Sequence, residues 1–357
     1  MAPIETPARS PRPRPPADLH GPAPASARGR AIPIALVIGL PAVVAALVAG
    51  LELSTRSLWL DEAASVAIAS QHGSHFWHAV AHDGGNMLGF YALLHVLIGW
   101  FGAGEAVIRM PSVLAHVATA ALTAAIALRL FGRTRVAFGS GLLAAVSLPL
   151  VYWGQDARGY ALMVTFAAAS VLAYVLLLQS GRDRPWVAAA AYVLTTLIAL
   201  YMGFYAALVI LAELAVLPLF RARARVVIAS LAVVAAGCVP LIVLALERGS
   251  GQLFWVPRPT WPIVGKAGVI LISTGMPPIF HLTALDLIAA AVTLLVGSAV
   301  IAVAVSGVRR SGRASMPGPR WLALSWLLVP VLVMLAASLA GEPVELGRAV
   351  ILVIPAV

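Results

Sequence analysis

Residues 185 to 220 read PWVAAAAYVLTTLIALYMGFYAALVILAELAVLPLF, with Glu213 as the single charge, Arg182 and Arg184 just before, and Arg221, Arg223 and Arg225 just after. A helix rises about 1.5 Å per residue and a bilayer core needs about 20 apolar residues, so this stretch is too long for one crossing. Basic connectors gather on the cytoplasmic side, and arginines on both flanks then require two crossings. The turn falls near Tyr201-Met202-Gly203-Phe204.

The rest of the chain agrees. Its 357 residues are 61% hydrophobic and only 11% charged, which excludes an ordinary soluble domain and describes a polytopic membrane protein. The formal charge of +10 comes from arginines scattered between apolar runs, with no basic and aromatic face, so no nucleic-acid partner is expected. Cys238 stands alone in an apolar run, which rules out an intrachain disulfide. Residues 1 to 30, rich in Pro, Ala and Arg, lack the large apolar residues a core needs and read as a disordered cytoplasmic tail ahead of a membrane domain over 31 to 357.

Further apolar runs occupy 31 to 51, 84 to 104, 110 to 128, 136 to 155, 159 to 181, 226 to 246, 267 to 285, 287 to 308 and 321 to 341. If 84 to 104 and 267 to 285 stay on the outer side, every Arg-rich connector falls inside. The same arrangement puts most of the 14 carboxylates outside or at the outer edge. The expectation is an all-α bundle of nine to ten transmembrane helices in the cell membrane, N-terminus inside, with interfacial helices in a first outer loop over 53 to 109. A tenth crossing begins at Arg348 and breaks off, so the chain is expected to be incomplete at its C-terminus.

The polar chemistry lies on that outer face. Asp61 and Glu62, in Leu58-Trp59-Leu60-Asp61-Glu62-Ala63, are either the cap and first turn of a helix or a general base able to take a proton from a hydroxyl at the membrane surface. Asp83, in His82-Asp83-Gly84-Gly85-Asn86-Met87, is either turn chemistry or a second carboxylate that, with Asn86, holds sugar hydroxyls. In the short connector Gln155-Asp156-Ala157-Arg158-Gly159-Tyr160, Asp156 and Arg158 either pair with each other or leave Arg158 for a lipid phosphate, whose oxygens a guanidinium fork matches. Arg56, Arg109, Arg158, Arg248, Arg258, Lys266 and Arg348 are basic residues outside, against the rule, and so are candidate anion ligands; Lys266 is the only lysine. His72, His75, His78 and His82 have a spacing that metal sites use, but a polar interfacial helix beside Trp77 is the favoured reading, and no cofactor is expected. Glu213 has no visible partner and no assigned role.

Trp59-Leu60-Asp61-Glu62-Ala63, Asp83 with Tyr91-Ala92-Leu93-Leu94-His95, Arg109-Met110-Pro111-Ser112 and Gln155-Asp156-Ala157-Arg158-Gly159-Tyr160 resemble, in order and spacing over roughly 31 to 220, the GT-C class of integral membrane glycosyltransferases. Within it the likeness is to the dolichyl-phosphate-mannose protein mannosyltransferase-like and aminoarabinose transferase-like group. Asn86-Met87 stands where many relatives have a Pro pair, and Arg348-Ala349 replaces a common Arg-Tyr. The resemblance implies a polyprenyl-phosphate donor carrying one sugar, mannose or arabinose-like, and its transfer with inversion to a glycan, lipid or protein hydroxyl on the outer face. It implies Asp61 as base, Glu62 as orienting the acceptor or the site, and Arg158 with Arg109, Lys266 or Arg348 on the phosphate. Asp83, Asp156, Tyr160 and Arg258, the last in an aromatic and Pro-rich loop, are the further candidates for donor or acceptor binding. The competing classes are a lipid or solute transporter, which would carry charges deep in its spans, and a non-catalytic scaffold.

Overall fold

The computed structural model describes residues 33–51, 53–180, 185–249, 318–340 and 350–356, and its regular structure there is entirely helical. Arg258, Lys266 and Arg348, together with the expected tail, lie outside the described residues. In chain order the helices are α1 (Ile34–Gly50), α2 (Leu60–Ala69), α3 (Ser74–His82), α4 (Leu88–Phe101), α5 (Glu105–Phe131), α6 (Thr134–Val146), α7 (Leu148–Gly154), α8 (Tyr160–Gln179), α9 (Pro185–Met202), α10 (Ala207–Val216), α11 (Arg221–Gly237), α12 (Val239–Arg248) and α13 (Gly318–Leu339).

The stretch from 185 to 220 turns where its sequence indicates. α9 ends at Met202, and a 3-10 turn, Phe204–Ala206, starts α10. By length and apolarity, five helices among the described residues can cross a bilayer, or six if α6 and α7 form one bent span, so this is an all-α protein with several helices fit for a membrane. One of the five is the continuous run Phe204–Gly237. Straight, its 34 residues would reach about 50 Å. Yet both its ends lie at the same place: the Tyr201 hydroxyl donates to the Gly237 carbonyl at 2.9 Å, and the Phe204 N–H donates to Asn86 at 3.4 Å. At its middle, the 3-10 turn Leu217–Phe220 sets Phe220 against Gly318 and sends the Arg223 side chain to the Ser180 carbonyl. The run therefore doubles back at Leu217–Phe220, and α10 and α11 are separate helices.

Small residues and paired hydroxyls draw the bundle together. A Cβ on Gly141 of α6 would lie 2.9 Å from both Ala124 of α5 and Pro41 of α1, so these three helices meet at van der Waals contact. Thr165 of α8 bonds Thr119 of α5 at 2.7 Å and the Ala115 carbonyl at 2.7 Å, satisfying a buried hydroxyl. The apolar run 136 to 155 forms α6 and α7, bent by 56°, because Pro149 cannot continue the ladder of the preceding turn. The run 226 to 246 is likewise broken at Cys238, with Pro240 in the first turn of α12.

In the expected first outer loop, residues 61 to 82 form α2 and α3 around a break at 70 to 73. His72 falls in that break, against the His95 ring at 5.4 Å, and only His75, His78 and His82 share α3. Among the described residues no three His, Cys, Asp or Glu side chains gather as a metal site. After α3 the chain turns through Gly84 (φ 66°), Gly85 (φ 72°) and Met87 (φ 60°), and Met87 is buried although non-glycine residues seldom take this conformation. The turn is held from both sides. A Cβ on Gly159 would lie 2.5 Å from the Met202 carbonyl and 3.2 Å from Met87, so the 155–159 connector fits between two turns only as glycine.

Candidate functional site

The connector before α8, the loop before α2, the turn after α3 and the start of α4 converge at one end of the bundle. Gln155 begins the assembly. The last carbonyls of α1 have no partner within the helix, and the Gln155 amide donates to Leu51 at 3.1 Å and Ala49 at 3.3 Å. The second connector is thereby tied to the start of the first loop.

Glu62 and Arg109 complete that frame. Arg109 Nε donates to Glu62 Oε1 at 2.7 Å and Nη2 to Oε2 at 2.6 Å, a two-pronged ion pair with both side chains buried. Nη1 donates to the carbonyls of Leu53 at 2.7 Å and Arg56 at 2.9 Å, and Nη2 also to Ser57 at 3.4 Å. A guanidinium has five N–H groups, and here all five are engaged. Glu62 Oε1 accepts a further bond from the Ala157 N–H at 2.9 Å. Burial pushes the Glu62 carboxyl up, but the bonds from Arg109 and Ala157 outweigh it and hold it below its ordinary range. Glu62 thus joins α2, α5 and the connector before α8, and Arg109 has no N–H left for a donor phosphate.

Asp156 is buried beside them. It does not pair with Arg158; its Oδ1 accepts the Trp59 indole N–H at 2.7 Å. Burial raises its pKa to about 7, the Trp59 bond opposes this, and the neighbouring Glu62 charge adds to the rise. As pH falls, Asp156 takes up a proton before Glu62 does.

Arg158 faces the other way and is held differently. Its Nη1 lies 3.3 Å from both Ser65 Oγ and Tyr91 Oη. Ser65 gives its own proton to the Asp61 carbonyl at 2.9 Å, and Tyr91 gives its proton to Asp83 Oδ2 at 2.9 Å. Both hydroxyls therefore offer Arg158 only lone pairs. The guanidinium stacks at 5.8 Å over the buried Tyr160 ring, and its buried Nε has no hydrogen-bond partner among the described residues. Burial disfavours its charge, but the net shift is upward, raised by Tyr91 and Tyr160 and, after them, by the Asp61 carboxylate.

Asp61 stands at the second position of α2, where the positive end of a helix favours an anion, and is half-buried. Trp59, not Asp61, is the cap residue. Burial pushes the Asp83 carboxyl up, while the Tyr91 bond and the charges of Arg158, His82 and Arg248 pull it down. Arg248 arrives from α12, where Leu244, one turn earlier, lies where a Gly85 side chain would stand. Its Nε is buried without a hydrogen-bond partner among the described residues.

Next to this cluster, α4, α5 and α8 enclose an apolar groove of about 620 Å³, lined by Leu93, Leu97, Phe101, Pro111, Leu114 and Leu162 among others. It begins one turn from Arg158: Leu162 is four residues on, and Pro111 precedes Ser112, whose hydroxyl donates to the Arg158 carbonyl at 3.3 Å.

The structure brings together Asp61, Glu62, Asp83, Arg109, Asp156, Arg158 and Tyr160. Sequence reasoning gave no role to Ser65 or Tyr91 and none to Trp59 as the partner of Asp156. Ser65 was findable, lying four residues after Asp61 on the same helix face; nothing in the spacing of Tyr91 and Arg158 signals their contact. Glu213, buried between α8 and α9, accepts the Tyr192 hydroxyl at 2.6 Å, and its carbonyl accepts that of Tyr174 at 2.9 Å. Compared with protein-family models, curated proteins and solved structures, the chain matches none.

Proposed function

We propose that this chain is an inverting membrane glycosyltransferase that moves a single sugar, mannose or arabinose-like, from a polyprenyl-phosphate donor to a hydroxyl on the outer face of the membrane. One observation carries the reading. Arg158 is a half-buried cation held by hydroxyl lone pairs and the Tyr160 side chain, its Nε without a hydrogen-bond partner among the described residues, with an apolar groove beside its backbone and the Asp61 charge within its field. That combination suits a ligand with one anionic group on a long apolar tail.

The chemistry follows from the charges. Asp61 takes the proton of the acceptor hydroxyl, whose oxygen bonds to the anomeric carbon from the face opposite the phosphate. The bond from that carbon to the phosphate oxygen breaks, and its electron pair leaves with the polyprenyl phosphate. The leaving group goes from one negative charge to two, so Arg158 stabilises the transition state more than the bound donor. Glu62 and Arg109 hold the loop that carries Asp61, and Arg109 is a framework residue in this reading. Phosphate leaves readily, so no second acid is needed. Nine to ten crossings with the N-terminus cytoplasmic would set this end outside, in a cell membrane; the positive-inside distribution supports that orientation.

The test is transfer of radiolabelled sugar from polyprenyl-phosphate mannose, arabinose and glucose to a membrane-extract acceptor, by wild type and by Asp61→Asn. Transfer by wild type alone supports the reading and names the donor. No turnover of any donor would move the weight to a lipid or solute transporter, which the buried Glu213 with Tyr192 favours. In that case Glu213→Gln, and not Asp61→Asn, should abolish activity.

A further inference from the structure

Asp83 invites a role in holding sugar hydroxyls, but its position argues for another. Its Oδ2 accepts the Tyr91 proton at 2.9 Å, and the Tyr91 oxygen then faces Arg158 Nη1 at 3.3 Å. A phenol has one proton. Because Asp83 takes it, the side of Tyr91 turned to Arg158 is a pure acceptor. Were the proton free to rotate, the hydroxyl could point it at the guanidinium and repel it. The three groups form a chain with one direction, Arg158 to Tyr91 to Asp83, and each link polarises the next.

Its anchorage is stiff. Tyr91 is fully buried on the first turn of α4, which starts at the left-handed Met87 against Gly159. Asp83 closes α3, its backbone N–H bonded to the Ala79 carbonyl at 3.1 Å. Arg158 has a long side chain with several rotatable bonds; Ser65 and the Tyr160 ring hold it on one side, and the Tyr91 oxygen fixes the direction of Nη1 on the other.

We propose, resting on the glycosyltransferase reading, that Tyr91 and Asp83 are positioning residues that fix Nη1 of Arg158 and aim the rest of its fork at the donor phosphate, and that Asp83 does not bind the acceptor. A positioning pair acts on donor recognition alone. Acceptor affinity is untouched, and substitution at either member reaches the phosphate through Arg158.

The experiment measures donor KM, acceptor KM and kcat for wild type, Tyr91→Phe, Asp83→Asn and the double variant, alongside equilibrium binding of farnesyl phosphate as a short, unreactive probe. Tyr91→Phe should raise donor KM and weaken farnesyl phosphate binding by about 10-fold, the loss expected for one hydrogen bond to a charged group, with acceptor KM unchanged. Asp83→Asn should do the same to a smaller degree, and the double variant should be no worse than Tyr91→Phe, since both act through one link. Wild-type donor and probe binding in Tyr91→Phe, or a rise confined to acceptor KM in Asp83→Asn, would overturn the proposal while leaving the function intact. Failure of wild type to bind farnesyl phosphate at all would remove the function and the proposal with it. Asp83→Asn keeps the shape of the turn and supplies the answer if Tyr91→Phe does not fold.

Discussion

Arg109 and Arg158 serve the same end of the bundle and contrast in every other respect. Arg109 is enclosed by one carboxylate and three carbonyls, its charge cancelled by Glu62 and all five N–H groups engaged. Arg158 touches the Ser65 and Tyr91 hydroxyls, which have given their protons elsewhere, and the Tyr160 side chain, and its Nε donates to nothing among the described residues. A satisfied cation builds structure, whereas one satisfied only in part can still receive an anion. The residue type was the same in both places, so the partners decide the role.

The contrast is sharpest in catalysis and stability measured side by side. Asp61→Asn should lower the transfer rate by about 10²- to 10⁴-fold while the melting temperature in detergent stays at the wild-type value, because it removes a base and leaves the frame. Retained activity would remove Asp61 from that role. Arg109→Ala and Glu62→Gln should do the reverse of Arg158→Ala: each strands a buried partner and should destabilise the protein by about 3–5 kcal/mol. A thermal melt that ranks Arg158→Ala as the more damaging would invert the comparison.

Smaller effects refine it. Gly159→Ala presses a methyl group onto the Met202 carbonyl and should destabilise by about 1–3 kcal/mol, with donor binding weakened because Arg158 shifts with its neighbour; a neutral melt would show that the connector can yield. The pH response belongs to the framework. The Asp156 pKa in the fold, about 7, lies above that of an unfolded aspartate, so its contribution to stability is complete at acid pH and is lost as pH rises through about 7. Glu62 is shifted down and acts oppositely, losing its contribution as pH falls below the ordinary carboxylate range. Between pH 6 and 8 the wild type should therefore lose melting temperature that Asp156→Asn does not lose. Equal pH profiles would mean that Asp156 is not the group that titrates.

Much of this was legible in the sequence. The flanking arginines of 185 to 220 located the turn at Tyr201 to Phe204, and the short motifs around Asp61, Asp83 and Arg158 named residues that do meet. Their division of labour was not legible. Glu62 reaches Arg109 across 47 residues and Trp59 reaches Asp156 across 97, and neither pairing leaves a periodic trace along the chain. Arg109 and Arg158 each read as a lone cation at the outer edge of a span, and only the fold shows which is already occupied. The bend at Pro149 and the break at Cys238 were obscured because apolar composition continues through both.

The most direct measurement is the equilibrium affinity of wild type, Arg158→Ala and Arg158→Lys for farnesyl phosphate, with farnesol as the uncharged control and the melting temperature recorded for each. Arg158→Ala should bind the phosphate at least about 10-fold more weakly, bind farnesol as the wild type does, and melt at the wild-type temperature. Arg158→Lys should fall between them, since a point charge replaces part of the fork. Equal affinity of wild type and Arg158→Ala for farnesyl phosphate would contradict the account, for the cation that the fold leaves open would then have no anion to receive.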